Sequence, residues 1–134
     1  MTKPDLSGAY RFNPERSALM IQAPEETLLV LEHREPWLRI TRTHVAGGRQ
    51  DTFSIELTTD GREALASHGE LQLAARAYWD GDTLVFDTRI RRAGEEATNV
   101  VRYALAPDGA SFLADESLRS ASLSYDNRWV FDRT

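Results

Sequence analysis

The sequence has 134 residues, of which 41% are hydrophobic and 28% charged, with a net charge of −5 and no cysteine. This composition is typical of one globular domain, here predicted to span residues 1–134, that buries a core without metal or disulfide support. The acidic balance argues against a nucleic-acid partner, and the missing cysteine excludes disulfides, thiolate catalysis and cysteine-ligated metals. No stretch resembles a signal peptide or reaches membrane-spanning length, so we expect no membrane span and, by default, a cytoplasmic location.

The first predicted strand covers about residues 6–12, and the segment after it, 13–26, carries the signals of a short helix. Asn13 is a suitable N-cap residue, Pro14 suits the first helical position, and Glu15 adds a negative charge to the first turn. A second strand is expected over about 27–34.

The rest of the chain alternates between short apolar runs of period two and turn signals at even intervals. These turns include Gly47-Gly48, Asp80-Gly81, Ala93-Gly94, Asp108-Gly109 and Ser120-Ala121. Asp-Gly and Gly-Gly suit the turns with positive φ that join antiparallel strands. The sequence therefore predicts an all-β fold, a roughly ten-stranded antiparallel up-and-down barrel with a short helical segment after the first strand.

Two-residue turns also predict which residues face each other across each hairpin. The four turns from Asp80-Gly81 onward agree with one another: each places the apolar residues of the two strands that it joins on the same face of the sheet. The first of them predicts Ala77 opposite Leu84, and the last predicts Glu116 opposite Tyr125. For the strand at 62–67, a two-residue turn at Asp60-Gly61 points its alanines inward, while a three-residue turn points Leu65 inward.

The predicted inner face also carries polar residues that do not suit a dry core, because a buried charge without a partner costs several kcal/mol. They are Arg42, His44, Asp51, Thr88, Asn99, Tyr103, Glu116, Tyr125 and Asn127. Most lie near one end of the predicted barrel, whereas the other end is apolar. Two explanations remain open: these residues bind a ligand, or they form internal pairs such as Arg42 with Glu116 and His44 with Asp51.

The chain resembles the calycins, the group of barrels that includes lipocalins and fatty-acid-binding proteins. Ser7-Gly8-Ala9-Tyr10 is similar to the Gly-x-Trp opening of lipocalins, with Tyr in place of Trp, and Arg128 or Arg133 would be the arginine that packs over it. The pattern around Gly8–Ser17, together with Trp79–Leu84, resembles a group of bacterial lipocalin-like proteins. The resemblance implies a barrel whose interior binds a small molecule.

We therefore expect a binding protein for a small hydrophobic or amphipathic molecule with a polar or acidic end. Its predicted contacts are Arg42, His44, Thr88, Asn99, Tyr103, Glu116, Tyr125 and Asn127. One alternative is a cofactor-free isomerase, cyclase or hydratase in which Glu116 or His44 moves a proton. Another is a filled barrel that acts through its surface, with a homodimer as one form.

No cofactor or metal is expected. His44, His68 and Asp51 have side chains that bind metals, but no ligand spacing supports a metal site. Glycine-rich phosphate loops and a nucleophilic serine motif are also missing from the sequence.

Overall fold

The structure is a computed structural model that describes residues 2–134, and it consists of ten antiparallel strands in one sheet. The strands are β1 (Gly8–Phe12), β2 (Glu26–Arg34), β3 (Trp37–Ala46), β4 (Arg49–Thr58), β5 (Ala64–His68), β6 (Leu71–Asp80), β7 (Thr83–Arg92), β8 (Glu95–Leu105), β9 (Ser111–Ser120) and β10 (Ser124–Arg133). Their order in the sheet is β4-β3-β2-β1-β10-β9-β8-β7-β6-β5. The all-β prediction and the count of ten strands are confirmed.

The sheet curls until its two edge strands, β4 and β5, lie side by side, so the barrel is nearly closed. The described residues form no backbone ladder between these two strands. A side-chain pair spans the gap instead, because His68 Nε2 lies 3.0 Å from Asp51 Oδ2. On β5, Ala64 and Ala66 pack against the core while Leu65 is exposed, which is the arrangement that a two-residue turn predicts.

Two hairpins form in a register that differs by two residues from the prediction. The β6–β7 turn is Gly81-Asp82, so Ala77 faces Phe86 instead of Leu84. The β9–β10 loop is also longer than predicted, so Glu116 faces Asn127 instead of Tyr125. A shift of two residues keeps the same side chains inside, because the side-chain period of a strand is two.

The predicted helix is wrong: residues 13–25 form a turn and then an extended segment, which we call the strap. Asn13 Oδ1 accepts the Glu15 N–H, as at a helix N-cap, but the chain turns only once. Ala18 then exchanges two backbone hydrogen bonds with Arg128 of β10, at 2.9 and 2.7 Å. Backbone bonds to a neighbouring strand therefore replace the helical ones that local propensity suggested.

One end of the barrel is filled by Leu6, which precedes β1, and by Tyr10 of β1. Leu6 and Tyr10 are fully buried, and Tyr10 stacks on Phe112 with 4.6 Å between ring centroids. The imidazole of His33 accepts the Leu6 N–H at Nδ1 and bonds Glu35 through Nε2, which holds this plug in place.

The arginine that covers the first strand is Arg133. Its guanidinium lies 5.2 Å from the centroid of the Tyr10 ring and donates to the Tyr10 hydroxyl. Arg128, the other candidate, points outward and pairs with Asp115.

Candidate functional site

The other end of the barrel is hollow and contains a cavity of about 520 Å³ beneath the strap. Leu29, Val101, Ala114, Trp129 and Phe131 form its apolar wall, and strap residues 21–24 cover it. Arg42, His44, Tyr103, Glu116 and Tyr125 supply its polar wall. Five of the eight predicted contact residues are therefore brought together around one cavity of the size that holds a small molecule.

Glu116 is fixed by three N–H donors, each at 2.9 Å. Asn127 and the Trp129 indole donate to Oε1, and Asn99 donates to Oε2. Because Asn99, Glu116 and Asn127 face the same side of adjacent strands, the alternation of β8, β9 and β10 creates this cluster. The Trp129 donor was not predicted, since an indole on an inner face is read from sequence as packing alone.

Arg42 makes no ion pair with any carboxylate of residues 2–134, and its Nε is buried without a hydrogen-bond partner. Its guanidinium instead lies 5.8 Å from the centroid of the Phe53 ring. The internal pairs considered from sequence are both wrong, because Arg42 does not pair with Glu116 and Asp51 pairs with His68 instead of His44. The cavity wall therefore carries a cation with an unused donor.

His44 lies on the same wall, and its Nδ1 is 2.6 Å from the hydroxyl of Thr27. Burial, together with the positive charge of Arg42, lowers the pKa of His44 to about 4. The imidazole is therefore neutral at pH 7. Its ring lies 5.8 Å from the centroid of Trp129, so its edge is part of the apolar wall as well.

Two tyrosines present hydroxyl groups to the interior. Burial raises the pKa of Tyr103 to about 12, and burial also raises the pKa of Tyr125 above its ordinary value. Both phenols are therefore neutral donors near pH 7. Neither hydroxyl is hydrogen-bonded to another residue in the described part of the chain.

The remaining predicted contacts lie elsewhere. Thr88 and Asn99 line a second, smaller cavity of about 200 Å³ on the side of the β4–β5 gap. Asn127 is only 4% exposed and lines neither cavity. Its amide joins the interior to the strap, because Nδ2 donates to Glu116 and Oδ1 accepts the Met20 N–H at 2.7 Å.

Strap residues Ile21, Gln22, Ala23 and Pro24 were missed by sequence reasoning, because a helix was expected there. The exposed side chains of Met20 and Gln22 give no periodic signal that would mark this segment as a cover.

Within residues 2–134, no three histidine or acidic side chains gather closely enough to hold a metal ion. No helix in that range has the length and hydropathy needed to cross a membrane.

No protein-family model and no curated protein sequence matches this chain. Solved structures do match its fold. Secretory abundant heat soluble protein 4 from Ramazzottius varieornatus superposes with a TM-score of 0.67 at 15% identity, over 100% of this chain and 99% of that one. Human cRBP IV has a TM-score of 0.64 at 12% identity, with 98% and 99% coverage.

Zebrafish ileal bile acid-binding protein, complexed with cholic acid, has a TM-score of 0.58 at 9% identity, over 96% of this chain and 98% of that one. All of these identities are low, so the likeness concerns the fold. The chain therefore shares the antiparallel β-barrel fold of these structures.

Proposed function

We propose that this protein binds a small, largely apolar molecule whose polar or acidic end meets the polar wall of the large cavity. The observation that carries the proposal is Arg42, a cation on the polar wall of a largely apolar cavity of about 520 Å³, with a buried Nε that has no acceptor. A buried donor without an acceptor costs about 1–3 kcal/mol. A ligand oxygen placed there would accept this hydrogen bond and recover that free energy.

The apolar body of the ligand would pack against Leu29, Val101, Trp129 and Phe131, which line the cavity. Barrels of the same fold include the bile acid-binding protein of zebrafish and a fatty-acid-binding protein of Manduca sexta. Their fold supports an interior that holds an apolar ligand, as an argument by analogy.

The polar end would lie among Arg42, Tyr103 and Tyr125, whose donors are free. His44 is neutral and would contribute a hydrogen bond through Nε2, since Nδ1 is engaged by Thr27. Thr88 and Asn99 would act from the smaller cavity, and Asn127 would act by holding Glu116 in place. The enzymatic alternative, with Glu116 or His44 as the proton carrier, stays a prediction that no specific contact favours.

Two probes of equal chain length test this proposal: dodecan-1-ol, which is uncharged, and dodecanoate, which is anionic. We expect both to raise the melting temperature, because a ligand that binds only the folded state stabilises it. In Arg42→Met, the affinity for dodecanoate should fall about tenfold or more while that for dodecan-1-ol falls less, since an ionised acceptor gains more from the guanidinium.

Arg39→Met is the matched control, because Arg39 lies on the outer face of the same strand and pairs with Glu32 and Glu56. It should leave both affinities unchanged. Native mass spectrometry of the freshly purified protein adds a measurement that requires no chosen probe, because it detects any ligand that is retained, and it also reports whether the chain forms a homodimer. The proposal fails if neither probe binds and the native mass is that of the bare chain.

A further inference from the structure

The interior contains two cavities that have three polar side chains in common. The larger one, of about 520 Å³, and the smaller one, of about 200 Å³, are both lined by Arg42, Glu116 and Tyr125. Every other lining residue belongs to one cavity alone. These three side chains, which we call the partition, therefore lie between two chambers.

The strand pairing explains how Arg42 comes to separate the chambers. On β3, Arg42 lies between Leu29 of β2 and Phe53 of β4. Leu29 lines the larger chamber only, and Phe53 lines the smaller chamber only. The apolar walls thus continue on both sides of the partition. In the smaller chamber the apolar wall consists of Phe53, Leu71, Leu73, Phe86, Ile90 and Leu118, and His68, Thr88 and Asn99 complete the lining outside the partition.

The partition offers both donors and an acceptor. Arg42 Nε and the Tyr125 hydroxyl are available to donate. Glu116 accepts two hydrogen bonds at Oε1 and one at Oε2. A carboxylate has about four lone-pair positions, so one remains at Oε2. A neutral hydroxyl uses both groups, because it accepts from Arg42 and donates to Glu116, whereas a carboxylate accepts from Arg42 but has no proton to donate to Glu116.

We propose that the ligand carries its polar group, a hydroxyl, at an internal position between two unequal apolar arms. The longer arm occupies the larger chamber, the hydroxyl binds the partition, and the shorter arm occupies the smaller chamber. This inference rests on the proposed function: it keeps the largely apolar ligand and the polar wall, and it moves the polar group from the end of the molecule to an internal position. The larger chamber has roughly two and a half times the volume of the smaller, and the smaller exceeds the apolar cavity of about 150 Å³ that holds benzene in another protein.

The test compares dodecan-1-ol with dodecan-4-ol, two isomers that differ only in the position of the hydroxyl. In dodecan-4-ol the arms are octyl and propyl, which approximates the ratio of the two chambers. We expect isothermal titration calorimetry to give a Kd about tenfold lower for dodecan-4-ol, because its propyl arm leaves water for the apolar wall of the smaller chamber. Non-specific partitioning would give the opposite order, since the secondary alcohol is the less hydrophobic isomer.

Leu71→Trp fills the smaller chamber from a partly exposed position at the start of β6. It should abolish the preference for dodecan-4-ol and change the Kd of dodecan-1-ol by less than about twofold. Leu65→Trp is the matched control, because Leu65 is 79% exposed on β5, and it should keep the preference. Leu73→Phe fills the same chamber from a buried position and replaces Leu71→Trp if that variant does not fold.

Equal affinities of the two isomers for the wild-type protein would overturn this inference and leave the proposed function standing. A preference for dodecan-4-ol that survives a folded chamber-filling variant would overturn it as well. If neither isomer nor dodecanoate binds and the native mass is that of the bare chain, the proposed function itself fails and the two-chamber inference falls with it.

Discussion

Replacement of Asn127 by alanine should release the strap while the barrel stays folded. The side chain makes two hydrogen bonds, one donated to the Glu116 carboxylate at 2.9 Å and one accepted from the Met20 N–H at 2.7 Å. The bond to the carboxylate contributes about 1.5–3 kcal/mol and the bond from the amide about 0.5–1.5 kcal/mol. We therefore expect Asn127→Ala to lower the free energy of unfolding by about 2–4 kcal/mol, measured by urea denaturation with tryptophan fluorescence.

Asn99→Ala is the matched control, because Asn99 also donates to Glu116 at 2.9 Å but does not contact the strap. It should cost about 1.5–3 kcal/mol, the contribution of one hydrogen bond to a charged group. Hydrogen exchange separates the two variants. The Met20 amide should be protected in the wild-type protein and in Asn99→Ala, and should exchange rapidly in Asn127→Ala. Protection of that amide in Asn127→Ala, or its loss in both variants, would refute the link between Glu116 and the strap.

Three further predictions concern single groups. The pKa of His44, followed by NMR, should be about 4, and a midpoint near 6.5 would contradict its burial. The free energy of unfolding should decline as pH falls from 6.5 toward 4, because the unfolded chain binds the proton more tightly than the folded protein does. The difference in ultraviolet absorbance between wild type and Tyr103→Phe should titrate near pH 12, if the fold persists there, and a midpoint near 10 would show a solvated phenol. Gly8→Ala should lower the free energy of unfolding, measured by urea denaturation, by about 1 kcal/mol or more, because φ is +151° and the new methyl would lie 3.2 Å from Arg133 and the Tyr10 ring. Gly109→Ala is the control and should lower it by less, because open space surrounds Gly109.

The inner face of the barrel could be predicted from sequence because side chains alternate between the two faces of a strand, and because the turns keep the apolar residues of neighbouring strands on the same face. The placement of Arg42, Tyr103 and Glu116 inside did not depend on the detailed turn type, since both errors of register were shifts of two residues. Partners across a hairpin depend on the register itself. The prediction therefore placed Glu116 on the correct face but gave it the wrong neighbour.

The strap and the contacts of Glu116 could not be predicted in this way. Asn13 and Pro14 are equally suited to a helix start and to a single turn, and the choice is made by Arg128 and Asn127, more than a hundred residues away. Local signals carry no information on such distant backbone partners. The second chamber could not be predicted either, because a cavity depends on how side chains pack in three dimensions and no residue type indicates one.

The unused donor of Arg42 is best understood through what Glu116 binds instead. An Arg42–Glu116 ion pair would satisfy both charges, but it would also consume the groups that an internal ligand needs. The barrel supplies Glu116 with neutral donors from Asn99, Asn127 and Trp129, and leaves the guanidinium without a carboxylate. This arrangement costs about 1–3 kcal/mol for the orphaned donor. A structural core would gain stability by closing that pair, so its absence favours a wall that a ligand completes.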